Sequence, residues 1–157
     1  MKTLLPASEV LQRAFRSHEK LPLETIREAD IEAVEWRLVR PVLGDALHDR
    51  LLQGGDALFV QEYLADAVAL LTRAEVLPRM THFCSAMGAF RPSPADTSPT
   101  DNETLLLDAR TTRRQAITLL RRAVAYIEAH ATDYPEYDPA QNILNRCTTD
   151  GGFVQTF

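Results

Sequence analysis

The chain is poor in cysteine, in long apolar runs and in positive charge, and each shortage removes a class of function. Two cysteines, Cys84 and Cys147, in 157 residues allow at most one disulfide. The start, MKTLLPASEV, carries a single Lys and a Pro at position 6 and lacks the apolar core of a secretory leader. Both thiols are therefore expected to be reduced, in a protein made in the cytoplasm. No apolar run approaches the ~20 residues that span a bilayer. Seventeen Lys and Arg against 22 Asp and Glu give a net charge of −5. That balance disfavours a general nucleic-acid binder but leaves room for a local basic patch. There is no C-x-x-C, and His18, His48, His82 and His130 are scattered with no i, i+4 pair, so no metal or cofactor is expected. Asn102-Glu103-Thr104 matches a glycosylation sequon but means little without secretion. No internal repeat and no low-complexity block is present.

What is there is helical periodicity. With 45 % hydrophobic and 25 % charged residues the chain can bury a real core. Ser8 reads as the cap of a short helix over Glu9 to Phe15. A second helix is expected from about Pro22 or Leu23. On a 3.6-residue period Ile26, Ala29, Ala33 and Trp36 share one face, Ile31, Val34 and Leu38 a second, and Glu28, Glu32 and Glu35 an acidic row between them. Pro41 should end or kink this helix at Arg40, and Gly44 suits a left-handed cap, with Asp45 capping a helix that carries Leu47 and Leu51. Gly54-Gly55 breaks that helix. Asp56 can cap the next, whose stripe is Val60, Tyr63, Leu64, Ala67, Val68, Leu71 and Ala74, until Pro78.

Met80 to Phe90 is poor helix material and predicts a short hairpin, followed by a Pro-rich loop, Arg91 to Thr100. Thr100 and Glu103 form a capping box for a last helix from about Asp101 to Ala131, roughly 45 Å long. Its stripe is Leu106, Ala109, Ala116, Ile117, Leu120, Ala123, Val124 and Ile127, with Arg113 inside it and Arg110, Arg114 and Arg121 as a basic row beside it. Tyr134-Pro135 ends the helix, leaving a tail with a Gly151-Gly152 hinge and terminal Phe153 and Phe157. The expectation is one mainly α domain over 1–157, a bundle of about four helices with a long C-terminal helix. A small β-hairpin arm lies at about 79–100 and an extended tail at about 134–157.

None of the chemistry-bearing groups assembles into a catalytic set, and the chain is not expected to be an enzyme. His82 and Cys84 would point the same way on a strand, but no Gly-rich oxyanion loop or third partner accompanies them. The acid pairs Glu28/Glu32 and Glu32/Glu35 are best read as a solvated face, and a metal-dependent enzyme using Glu28, Glu32 and His48 is remote. The arginine row has three open readings: a solvated face, ion pairs within or between subunits, or, least favoured, contact with DNA phosphate. Its pitch resembles that of the acidic row, so the two rows are candidates to meet between neighbours. Arg113 requires a carboxylate or a solvent exit along its stem. The two apolar faces of the second helix leave two readings. Either both pack inside the subunit, or Ile31, Val34 and Leu38 are offered to a partner while Ile26, Ala29, Ala33 and Trp36 face the core. Phe153 and Phe157 are a second partner signal, a tail that can add a strand to a neighbouring sheet.

The segment IEAVEWRLVRPVLGDALHDRL resembles the "helix, P-x-L-G, short helix" element of a family of uncharacterised phage and prophage proteins, and YIEAHATDYPEY resembles its late segment. That family is similar in organisation to the helical head–tail connector (adaptor) proteins of tailed phages. The resemblance implies a virion structural protein, located in the neck after synthesis in the host cytoplasm. It would form a ring with copies of itself on the portal, in contact with neighbouring neck or tail proteins and with no membrane. The expected subunit interface is Ile31, Val34, Leu38, Glu28, Glu32, Glu35, Arg110, Arg114, Arg121, Phe153 and Phe157. A small cytosolic helical binding or regulatory module acting as a dimer is the alternative.

Overall fold

The computed structural model describes residues 2–15, 21, 23–81, 83–85, 88–90 and 102–145. It is mainly helical, with five helices among the described residues: α1 (Ala7–Ala14), α2 (28–43), α3 (Asp45–Leu52), α4 (57–76) and α5 (Asn102–Ala129). Single turns of 3₁₀ helix lie at Leu23–Thr25, Leu77–Thr81 and Ile143–Asn145. The expected bundle of about four thus has five members.

The centre of the bundle is α4, which packs against α1, α2 and α5. Every residue of its predicted stripe is buried except Tyr63, which is half-buried. Ala65, Ala69, Thr72 and Val76 are buried as well, so the helix is covered on most of its circumference. Its small side chains, Ala65, Ala67 and Ala69, let the neighbours approach closely, and Thr72 satisfies its hydroxyl by donating to the Val68 carbonyl at 2.8 Å. Asp56 caps the helix as the sequence predicts, accepting from the Phe59 N–H at 3.0 Å. By contrast α1 starts one residue before Ser8, with Pro6 in the cap position and no side-chain cap.

Both α2 and α4 contain one stretch of π-helix, Glu35–Val39 and Val60–Leu64. In α2 this stretch lies just before Pro41. The Arg40 N–H reaches back five residues to the Glu35 carbonyl, and the widened turn makes room for a ring that has no N–H to donate. The helix therefore passes through Pro41, where the sequence predicts a stop or kink, and ends at Gly44. There φ is +85°, a conformation open to glycine. Asp45 begins α3 as its first residue rather than its cap.

The predicted β-hairpin arm is not supported as an arm. Phe83–Ser85 and Gly88–Phe90 pair antiparallel over three residues each, with Phe83 opposite Phe90, while 86–87 and 91–101 lie outside the described residues. The expected tail at 134–157 also divides differently. Residues 134–145 fold back onto the bundle, with Tyr134 and Asn142 buried and Ile143 and Leu144 half-buried. Residues 146–157, with Cys147, Phe153 and Phe157, lie outside the described residues, as do His18 and His82.

Candidate functional site

The two faces of α2 are the reverse of the predicted ones. Ile31 is 0 % exposed, Val34 2 % and Leu38 8 %, all within the subunit's own core, whereas Trp36 is 64 % exposed. Ala29 and Ala33 are exposed beside it. Ile31, Val34 and Leu38 are therefore not free to meet a neighbour. The physical reason lies at both helix ends. Ile26 is buried, but it precedes the first helical residue, Glu28, and so marks no helix face. Passage through Pro41 extends the inward face to Val39, Val42 and Leu43, making it the longer apolar side. Trp36 is left outside, its indole covered on one side by the Arg40 guanidinium at 4.2 Å.

The acidic row does not exist as a row. Glu28 is exposed and Glu32 half-buried, but Glu35 is 2 % exposed. Its carboxylate accepts the Leu4 backbone N–H at 2.8 Å, pinning the N-terminal segment whose Leu5 is fully buried. It also lies 3.8 Å from Nε2 of His48, itself 3 % exposed. That separation is too long for a hydrogen bond, and neither ring nitrogen of His48 has a hydrogen-bond partner among the described residues. Burial pushes the Glu35 carboxyl up to about 7, against the opposing pull of the Leu4 N–H, and the Glu32 charge adds to the rise. Burial also lowers His48, as does the Arg40 charge, while Asp49 and Asp45 partly offset this. The pair is missed by sequence reading, although Glu35 does sit on the Ile31–Leu38–Val42 face, where an acid is out of place. No group of three metal-ligating side chains occurs among the described residues.

Arg110, Arg114 and Arg121 are exposed along α5 and make no ion pair among the described residues. Arg113 finds the carboxylate its position requires: Glu75 lies 3.8 Å away and also pairs closely with Arg37. These three charged groups line a cleft of about 300 Å³ together with Leu38, Val42, Ile117, Ile143 and Leu144. Asn142 holds the Ile143–Leu144 wall: its side chain accepts the Leu144 N–H at 2.9 Å and donates to the Tyr137 hydroxyl at 2.8 Å.

At the other end of α4 an aromatic cluster fixes the helix start. Phe59 stacks on Tyr63 and Tyr126 with centroids 5.7 Å apart in both pairs, and Tyr63 stacks on Tyr126 at 4.3 Å. The Tyr134 hydroxyl donates to Asp56 at 2.6 Å; burial, and then Asp56, hold its phenol well above the usual range. Asp56 thus serves as helix cap and as the partner of a buried hydroxyl. Asp56→Ala is expected to cost about 2–4 kcal/mol, the sum of a lost cap and an orphaned phenol. Tyr134→Phe, which spares the cap, is expected to cost about 1 kcal/mol. Urea denaturation of the two variants measures the difference. Equal losses would contradict the dual role. Two residues beyond this anchored cap, Leu58 is 75 % exposed; Leu106 and Leu107, on the first turns of α5, are 47 % and 62 % exposed, the first against its place in the predicted stripe.

The candidate site is thus a set of exposed faces on a mainly helical protein. No helix among the described residues is long and apolar enough to cross a membrane. Within that class the chain belongs to a family of unknown function, DUF6712, which matches residues 39–146. The match takes in Pro41 to Gly44, the end of α2, and runs through α5 to the folded-back segment; α1 and most of α2 precede it. No curated protein and no solved structure matches the chain.

Proposed function

We propose that the protein is a virion structural subunit, a head–tail connector that assembles into a ring on a portal, with the exposed side of α2 as an intersubunit surface. The observation that carries the reading is the outward placement of Ala29, Ala33 and Trp36 along one helix whose opposite side is fully committed to the core. Two alanines followed by a large indole form a face against which a neighbouring helix can pack closely, and covering a side chain of that size contributes about 1.5–3 kcal/mol. The resemblance of the P-V-L-G element (Pro41 to Gly44) and of YPEY (Tyr134 to Tyr137) to phage and prophage proteins supports the same reading. The charge rows enter it in reduced form. Glu28 and Glu32 remain outward to meet Arg110, Arg114 or Arg121 of a neighbour, setting register more than affinity because exposed pairs are worth only ~0–1 kcal/mol each.

The test is negative-stain imaging of the protein alone and mixed with the portal ring of the same virion. A closed ring that sits on the portal is expected. Particles no larger than a dimer under both conditions would favour a small helical binding module instead.

A further inference from the structure

We infer that the ring contact is heterologous, with Leu58 and Glu62 of one copy seated in the cleft between Arg37 and Arg113 of the next. This rests on the connector reading and names the surfaces that meet. Leu58 is, at 75 %, the most exposed large apolar residue described, and Glu62 lies one helical turn on, exposed and without an ion pair among the described residues. Together they present a branched aliphatic side chain and a carboxylate from one helix face. The presentation is rigid, because Asp56 caps the turn and is itself held by Tyr134, while Phe59 is locked into the aromatic cluster.

The cleft is complementary on both counts. Its wall is aliphatic, built from Leu38, Val42, Ile117 and Leu144, and its volume of about 300 Å³ accommodates a side chain of that kind. In its lining two guanidinium groups share the single carboxylate of Glu75, which leaves one positive charge uncompensated among the described residues. The Nε of Arg113 is buried and has no hydrogen-bond partner among the described residues, so the positive charge of the pair is open to an acceptor only at the outer nitrogens of the guanidinium groups.

The two surfaces cannot meet within one subunit. They belong to opposite ends of α4, where residues 58 and 75 are separated by 17 positions, or about 25 Å of helix. A patch that fits a different patch on an identical copy makes a head-to-tail contact, which propagates until it closes; a self-complementary patch stops at a dimer.

The experiment is sedimentation velocity on the full chain over a range of concentrations, with melting curves to confirm folding. Leu58→Ser and Glu62→Arg are exposed changes that leave melting unchanged, and each is expected to weaken assembly at least about tenfold. Arg37→Glu is expected to do the same, and to recover assembly when combined with Glu62→Arg. A mixture of the Leu58→Ser and Arg37→Glu proteins leaves one intact knob and one intact cleft, and is expected to stop at dimers. Assembly that is indifferent to all of these variants overturns the inference and leaves the connector reading standing. A wild-type chain that stays monomeric, alone and with the portal ring, overturns both.

Discussion

Ile31→Ala is expected to destabilise the protein by about 2–4 kcal/mol, while Trp36→Ala on the same helix changes stability by no more than about 0.5 kcal/mol. The contrast follows from the inverted faces. Ile31 is completely buried in a core shared by α2 and α4, so its truncation leaves a cavity as well as losing transfer energy. Trp36 is mostly in water, and its contact with Arg40 is a surface cation–π pair. The usual expectation for a lone tryptophan is the opposite, because indoles dominate core energetics. Chemical denaturation of both variants decides the matter. Comparable losses, or a larger loss for Trp36, would mean that α2 is turned the other way.

The second large effect is a pH dependence centred on Glu35. Its carboxyl titrates near 7 in the folded chain, against 4.5 when unfolded. Between those values the folded state holds a proton that the unfolded state has released, so stability falls as pH rises from 4.5 to 7 and is flat above. A shift of that size corresponds to about 3 kcal/mol. His48 acts in the opposite sense. Held below 6.5 by burial, it stays neutral in the folded chain where the unfolded chain is protonated, and its contribution is lost as pH falls below 6.5. Glu35→Gln keeps an oxygen to accept the Leu4 N–H and removes the buried charge. It is expected to gain about 2–3 kcal/mol at pH 8 and less than about 1 kcal/mol at pH 4.5. With the Glu35 limb gone, the loss at acid pH from His48 becomes the steeper feature. Urea denaturation at several pH values measures both limbs, and parallel profiles for wild type and variant would show that Glu35 does not titrate in this range.

The comparison of sequence with structure is most favourable where periodicity is unbroken. The α4 stripe from Val60 to Ala74 and most of the α5 stripe lie where a 3.6-residue period puts them; in α4 the π-helical stretch Val60–Leu64 falls at the start and the regular turns of Ala65–Val76 carry the rest. In α2 the π-helical stretch adjoins Pro41, and there the reading errs. Pro41 reads as a stop, but the π-helical turn before it absorbs the missing donor, and no propensity signals that a widened turn will form. Reading α2 as ending at Arg40 hides Val42 and Leu43, and without them the inward face looks no stronger than the outward one. Tyr134 to Leu144 looks like a tail because it has no period at all. It is held by particular contacts, Tyr134 to Asp56 and Asn142 to Tyr137, that a one-dimensional pattern cannot show. Arg113 is the counter-example. Its place inside an apolar stripe predicts a carboxylate partner, and Glu75 supplies it.

The same reasoning locates what sequence leaves open. An outward ridge on α2, a charged cleft beside it and an exposed leucine at the far end of α4 are products of the fold, invisible until the faces are oriented. They are also the features on which the proposed ring assembly rests.

The most direct test of this account is the mass of the particle in solution, measured by light scattering behind a sizing column for wild type and for Trp36→Glu. The account predicts a closed assembly for the wild type and a folded monomer with an unchanged melting curve for Trp36→Glu. A wild type that stays monomeric alone and with the portal ring, or an assembly that ignores a charge placed on the outward face of α2, would contradict it.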